Sequence, residues 1–244
     1  MPWKRSRTVL FLFFLLAAVL LASCSVSQTL VIKSDGSGSL SMRVEITKVM
    51  HDYISSLAEV VGKDDVLSSG KIFDVAEIQK GFESQPGVTI KRIATPTPDV
   101  LEADVAYASI QKVLLGGDAL KAGGVFSYTE AAGKKTLKIH LDKRNFSQLS
   151  TLFPLLSNPM FEGMGPQADQ AVTESEYLDM IGFSLGDQGP AALKKSYIDL
   201  TVKPEGEILS QTGGTKSSSA VLFRIPLLRI LVLDKPLDYS LSWR

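Results

Sequence analysis

Apolar and polar residues alternate in five separate segments of the chain, and this alternation limits the possible folds more than any other feature. In residues 40–47, for example, every second residue is apolar and those between are polar. Successive side chains of a strand point to opposite faces, so each segment predicts a strand with one buried and one wet face. Sheets with one wet face favour antiparallel pairing. The apolar positions are Leu40, Met42, Val44 and Ile46; Leu101, Ala103, Val105 and Tyr107; Leu137, Ile139 and Leu141; Ile198, Leu200 and Val202; and Leu237, Tyr239, Leu241 and Trp243.

Other parts of the chain show helical spacing. Residues 49–61 and 74–83 predict two amphipathic helices. Residues 143–193 are predicted to be helical and loop-like, because four prolines interrupt them. Helices grouped between hairpins are typical of an α+β fold, expected here as a single antiparallel β-sheet with helices packed on one face. We therefore predict one domain over residues 28–244, with 143–193 as a helical subregion.

The first residues have the pattern of an export signal. Three basic residues, Lys4, Arg5 and Arg7, precede an unbroken apolar run from Val9 to Ala22. This run is shorter than the roughly 20 residues that a membrane-spanning helix needs. A removable signal peptide is therefore favoured over its alternative, an uncleaved signal anchor.

The run ends in Leu21-Ala22-Ser23-Cys24, which resembles the lipobox of bacterial lipoproteins. The resemblance implies that residues 1–23 are removed, that the Cys24 thiol carries a diacylglycerol, and that the new amino group is usually acylated, for example with palmitate. Cys24 is the only cysteine, so no disulfide competes for it. Residues 24–27 would form a short tether that holds the domain near the lipid headgroups. The expected location is the cell envelope, extracytoplasmic and lipid-anchored, and Ser25 favours the outer membrane over the inner one by analogy with enteric bacteria.

A second resemblance lies in the two ends of the mature chain. Residues 30–40 (LVIKSDGSGSL), 223–228 (FRIPLL) and 239–243 (YSLSW) resemble uncharacterised bacterial envelope lipoproteins of the LppM type. The resemblance implies an envelope domain of mixed helix and strand with lipid-related or host-facing roles. It supplies no catalytic motif.

The charge balance argues against nucleic-acid partners. The chain has 26 basic and 26 acidic residues, and removal of the signal peptide leaves 23 basic against 26 acidic. Basic residues are adjacent only in pairs in the mature chain. Neither nucleic-acid binding nor a polybasic grip on anionic lipid is expected without a concentrated basic face.

One motif raises the possibility of hydrolase chemistry. Gly182-Phe183-Ser184-Leu185-Gly186 fits the nucleophile elbow of α/β-hydrolases. That fold places its histidine after the serine, whereas His51 and His140, the only histidines, precede it. The segment also follows a helical pattern, and neither histidine has the spacing of a metal ligand. We therefore predict no catalytic residue, no metal site and no cofactor.

The most distinctive apolar stretch runs from Asn145 to Phe161 without a charged residue. A core helix with a buried loop would explain it. The functional interpretation is the lip of a groove for lipid acyl chains or another apolar small molecule, since segments rich in Phe and Met adapt to apolar ligands. The candidate ligand-binding residues are Phe146, Leu149, Leu152, Phe153, Leu156, Met160 and Phe161.

These patterns together favour a non-enzymatic, membrane-anchored envelope lipoprotein that binds a lipid or other apolar ligand. The alternative is a structural lipoprotein that recruits an envelope protein through an exposed strand edge. A hydrolase is the least favoured of the three.

Overall fold

The computed structural model describes residues 25–52, 55, 72–115, 124–148, 165–166 and 172–244. The strands of this part are β1 (Ser25–Ile32), β2 (Gly38–Glu45), β3 (Val88–Thr97), β4 (Val100–Tyr107), β5 (Phe126–Ala131), β6 (Lys134–Leu141), β7 (Tyr197–Pro204), β8 (Ile208–Thr212), β9 (Thr215–Lys216), β10 (Val221–Pro226) and β11 (Leu237–Trp243). Its helices are α1 (Val75–Glu83), α2 (Ile110–Leu115), α3 (Glu174–Leu185), α4 (Gly189–Lys194) and α5 (Leu227–Val232), with a 3₁₀ turn at Phe146–Gln148.

The strands form two sheets, so the prediction of a mixed α+β fold is confirmed but the single sheet is wrong. A seven-stranded sheet has the order β3-β4-β2-β1-β7-β10-β9, and a four-stranded sheet has the order β5-β6-β11-β8. Antiparallel pairing is also not universal, because β1 pairs with β7 in parallel. Alternation marks which face of a strand is buried, but it does not say to which sheet the strand belongs.

The two sheets pack face to face on the alternating apolar residues. The seven-stranded sheet contributes Ile32 and Val202 to the shared core, and the four-stranded sheet contributes Leu241 and Trp243. All four side chains are fully buried, and the Trp243 ring lies 6.0 Å from that of Tyr128. The alternation in the final strand therefore predicted its buried face correctly.

The opposite face of the seven-stranded sheet is polar, as the alternation predicts. Arg43 donates to Glu102 at 2.6 Å across β2 and β4, and Arg224 donates twice to Asp199 across β10 and β7. Exposed pairs of this kind contribute at most about 1 kcal/mol each. These charged pairs show that this face of the sheet is in contact with water.

Helix α1 covers the part of the apolar face that the four-stranded sheet does not. It is the helix predicted over 74–83, and the carboxylate of Asp74 caps it by accepting from the amide of Glu77 at 3.0 Å. An apolar cluster that includes Ile46, Phe73 and Leu101 lies between this helix and the sheet. The other helix, predicted over 49–61, is described only at 48–52 and 55, which are helical.

Helices α3, α4 and α5 pack on one another in a group that we call the cap. Their common core consists of Tyr177, Ile181, Leu193, Leu228 and Val232. Helix α3 begins with a capping box in which the side chains of Thr173 and Glu176 bond reciprocally to backbone amides. In the predicted helical subregion 143–193, the described elements are the 3₁₀ turn, α3 and α4, while α5 lies outside that range and was not predicted.

The core position of Trp243 gives a direct test of the two-sheet arrangement. We expect Trp243→Ala to lower the free energy of unfolding by about 3–5 kcal/mol, because a large buried ring is lost and a cavity remains. The measurement is urea denaturation followed by circular dichroism. Leu209→Ala is the control, since Leu209 is 41% exposed and its loss should change stability by about 0.5 kcal/mol or less. A change that small for Trp243→Ala would contradict the packing of the two sheets on this ring.

Candidate functional site

The first described residue is already part of the seven-stranded sheet. Ser25 pairs with Glu45 of β2 and with Tyr197 of β7, so the folded part includes residues before 28, where the domain was predicted to start. Residues 25–27, which were predicted to belong to a short tether over 24–27, are strand. Cys24, the predicted lipidation residue, directly precedes this strand and lies outside the described residues. We call this end of the sheet, where β1 and β7 begin and β2 and β10 end, the Ser25 end.

The cap lies at the Ser25 end because the chain connects it there. Helix α5 follows β10 directly, and only two residues lie between the end of α4 and Tyr197, the first residue of β7. The amide of Leu227 donates to the carbonyl of Ser196 at 2.9 Å and joins the two connections. None of the described helices is long and apolar enough to span a membrane.

A small apolar cleft separates the cap from the residues that follow β2. It has a volume of about 30 Å³. This is room for about one water molecule, whereas pockets for small molecules usually measure roughly 300–1,000 Å³. This cleft is therefore too small to hold an acyl chain in this arrangement. The cleft is lined by Thr47, Val49, Met50, Ile181, Leu185, Gly189, Ala192, Leu193, Ser196, Leu227 and Leu231.

Phe146 is the one predicted ligand-binding residue that the structure describes. It packs against an apolar cluster that includes Leu141, Ile225 and Leu237. The preceding residue, Asn145, is buried and fixes the turn by donating to the carbonyl of His140 at 3.0 Å. The other predicted residues lie outside the described part of the chain: Leu149, Leu152, Phe153, Leu156, Met160 and Phe161.

The described flanks of the uncharged stretch both lie near the Ser25 end. Phe146 precedes the undescribed part of this region and packs on the same cluster as Ile198 and Leu227. Val172 follows it and packs on the cap core, which also contacts Leu227. Phe146 and Val172 therefore contact apolar clusters that share Leu227, and between them only Ser147, Gln148, Gly165 and Pro166 are described.

The outer face of α3 carries apolar side chains that sequence analysis did not identify as functional. Phe183 is 95% exposed and Met180 is 45% exposed, whereas Tyr177 and Ile181 on the inner face are buried. Phe183 is the most exposed large apolar side chain among the described residues. The half-helix Met180–Leu185 has no charged residue, and its inward residues are Ile181 and Leu185, which both pack in the cap.

The hydrolase motif does not form a nucleophile elbow. Ser184 lies in the last turn of α3, and its hydroxyl donates to the carbonyl of Met180 at 3.1 Å, four residues back. An elbow requires a turn between a strand and a helix. The prediction that this segment is helical is therefore confirmed.

The two histidines are each paired with carboxylates at the protein surface. His140 Nδ1 lies 2.7 Å from Asp238, and its other ring nitrogen lies 3.6 Å from Asp142. His51 lies 3.7 Å from Asp52 and 3.9 Å from Asp99. Within the described ranges, no group of three His, Cys, Asp or Glu side chains is placed to hold a metal ion.

Comparison with known proteins adds little to this picture. No protein-family model matches the chain, and no curated protein matches it. Among solved structures, it is similar to the folded domain of LppM from Mycobacterium tuberculosis, determined by NMR, with a TM-score of 0.43 and 10% identity over 91% of this chain and 89% of that one. A likeness at this level does not show a shared family or function.

The contact between His140 and Asp238 predicts a measurable pKa. The hydrogen bond to Asp238, followed by the charges of Asp238 and Asp142, raises the pKa of His140 above its ordinary value of about 6.5. At pH values below the pKa that His140 has in the unfolded chain, this pair contributes its full stabilisation of the fold. The stabilisation is lost as the pH rises through the higher pKa that His140 has in the folded protein. We expect Asp238→Asn to lower the pKa of His140, as measured by NMR titration of its ring protons. Asp52→Asn, placed beside the other histidine, is the control, and an unchanged His140 pKa in Asp238→Asn would contradict the contact.

Proposed function

We propose that the protein is a non-enzymatic lipoprotein of the bacterial envelope, anchored through lipid on Cys24 with its Ser25 end against the membrane. The observation that carries this proposal is the start of β1 at Ser25, between two paired strands. One residue spans at most about 3.6 Å. An acylated Cys24 would therefore leave almost no slack between the membrane and the sheet.

The energetics of lipid anchoring support a permanent attachment. Each buried methylene contributes about 0.8 kcal/mol, and stable anchoring takes two acyl chains, which a diacylglyceryl cysteine provides. The location we propose is extracytoplasmic, with the outer membrane favoured over the inner by Ser25 after the lipidated residue.

The ligand we propose is a lipid or another apolar molecule held beside the cap by residues 145–161. Support comes from the described flanks, Phe146 and Val172, which both pack on clusters at the Ser25 end. The cleft beside the cap has only about 30 Å³, so an acyl chain requires either the uncharged stretch as an additional wall or separation of the cap helices. A ligand in this place would be close to the membrane that supplies it.

The alternative role, recruitment of a protein partner by strand addition, has weaker support. The edges of the seven-stranded sheet are β3, which carries Lys91, Arg92 and Pro96, and β9, which is only two residues long. Charged residues and proline on an edge strand are features that block pairing with another chain. We therefore favour the lipid-anchored binding protein.

The proposed anchor predicts that Cys24→Ser abolishes lipidation. Cells that express the unaltered chain should incorporate labelled palmitate into the protein and retain it in the membrane fraction, because the acyl chains are attached at Cys24. The Cys24→Ser protein should incorporate no label, and Ser25→Ala is the matched control that should keep it. Incorporation of equal label by Cys24→Ser would contradict the anchor.

The proposed ligand predicts copurified lipid. Native mass spectrometry of protein beginning at Ser25, purified from bacterial cells, should show bound phospholipid or fatty acid. We expect the double variant Leu152→Glu/Phe153→Glu to lose it, since charge in the apolar stretch opposes acyl-chain contact. Leu209→Glu, which changes an exposed apolar residue elsewhere, should retain it. A mass without ligand, unchanged after incubation with envelope lipids, would contradict lipid binding.

A further inference from the structure

We propose that Met180, on the outer face of α3, is a site of reversible oxidation, at which hydrogen peroxide converts the thioether to a sulfoxide. The site does not depend on the proposed lipid anchor or ligand, because it rests on the exposure of one side chain of α3. Methionine sulfoxide is polar, and sulfoxide reductases convert it back to methionine. Oxidation and reduction would therefore switch this helix face between a polar and an apolar form.

Met180 is the most exposed of the three methionines that the structure describes. Its side chain is 45% exposed, and it belongs to none of the apolar clusters formed by the described residues. Met42 and Met50 are half-buried and pack against the cluster between α1 and the sheet. The sulfur of Met42 also accepts a weak hydrogen bond from the side-chain amide of Gln28 at 3.8 Å. Because the rate of oxidation follows exposure, Met180 should react before the other two.

The neighbours of Met180 along the helix leave its sulfur accessible. Residues three and four positions apart share one side of a helix. Tyr177 is buried in the cap core, and Phe183 is 95% exposed and so buries almost no surface against a neighbour. The carboxylate of Glu176 is held at the start of the helix by the capping box. Hydrogen peroxide is uncharged, so neither Glu176 nor the adjacent Asp179 repels it.

The reaction needs only the thioether and the peroxide. A lone pair of the sulfur forms a bond to one peroxide oxygen, and the oxygen–oxygen bond breaks. The departing hydroxide takes up the proton of the transferred oxygen and leaves as water. The sulfur is oxidised by two electrons and the peroxide is reduced by two. In the reverse reaction, the thiols of a sulfoxide reductase supply two electrons, and the oxygen leaves as water.

Oxidation at Met180 is compatible with the folded structure. The inner face of α3 holds the cap together through Tyr177 and Ile181, and neither contact requires Met180. A sulfoxide on Met42 or Met50 would instead place a polar oxygen beside an apolar cluster, where it would disturb the packing. Met180 can therefore be oxidised and reduced without unfolding of the protein.

The experiment compares oxidation rates within one sample. The full chain, purified in detergent, is treated with dilute hydrogen peroxide, and peptide mass spectrometry follows the uptake of one oxygen at each methionine. Met42 and Met50 are the internal references. A parallel sample in urea gives the rates in the unfolded chain, where burial has no effect. In Met180→Leu, which keeps an apolar side chain without the sulfur, the corresponding peptide should take up no oxygen.

We expect Met180 to be oxidised at least about fivefold faster than Met42 and Met50 in the folded protein, and the three rates to converge in urea. Equal rates in the folded protein would overturn the proposal. A preference for Met180 that persists unchanged in urea would also overturn it, because the preference would then come from the local sequence and not from exposure.

Reversibility is tested on the protein that is oxidised at Met180. Treatment with a pair of sulfoxide reductases, one for each epimer, and a dithiol should remove the added oxygen from the folded protein. The urea midpoint of the oxidised protein should equal that of the untreated protein. Oxygen that remains after this treatment, or a lowered midpoint, would contradict a reversible site.

Discussion

The pairing of β1 on both sides is the constraint on which the rest of the structure depends. From Ser25 onward its backbone bonds to β2 in an antiparallel ladder and to β7 in a parallel one. These two ladders join the N-terminal hairpin to the C-terminal half of the chain and place the inward residues of β1 opposite the four-stranded sheet. Because the ladder begins immediately after Cys24, the position of the predicted lipid relative to the whole sheet is set by this strand alone.

The fold was predictable from sequence where burial repeats at every second residue. Alternation identified the inward residues of β4, β6 and β11 because one wet face leaves a clear pattern. It missed β8, which has a single buried residue, Ile208, and it missed α5, a short helix whose residues are apolar almost throughout. The division into two sheets could not be predicted from the sequence either, since it depends on the pairing of strands that are distant in the chain and not on local pattern.

The candidate site was less predictable from the sequence than the fold, because it also depends on packing and not on local pattern. The uncharged stretch 145–161 is conspicuous in the sequence, but Phe146 alone of its candidate residues is described. The exposed Phe183 could not be recognised, because an apolar residue in a helix is ordinarily assigned to the core and only the packing of Ile181 shows which side faces out. Ser25 was predicted to be part of a tether because the residues around it do not alternate between apolar and polar. It lies in a strand because β2 and β7 pair with it on both sides.

In the function we propose, the Ser25 end lies directly against the membrane. Neutron reflectometry of the lipidated protein on a supported bilayer measures the thickness of any water layer between headgroups and protein. We expect the protein layer to begin at the headgroups, with a gap no greater than the length of one residue, ~3.6 Å. A continuous water layer of about 15 Å, which only a free tether of several residues could span, would contradict it.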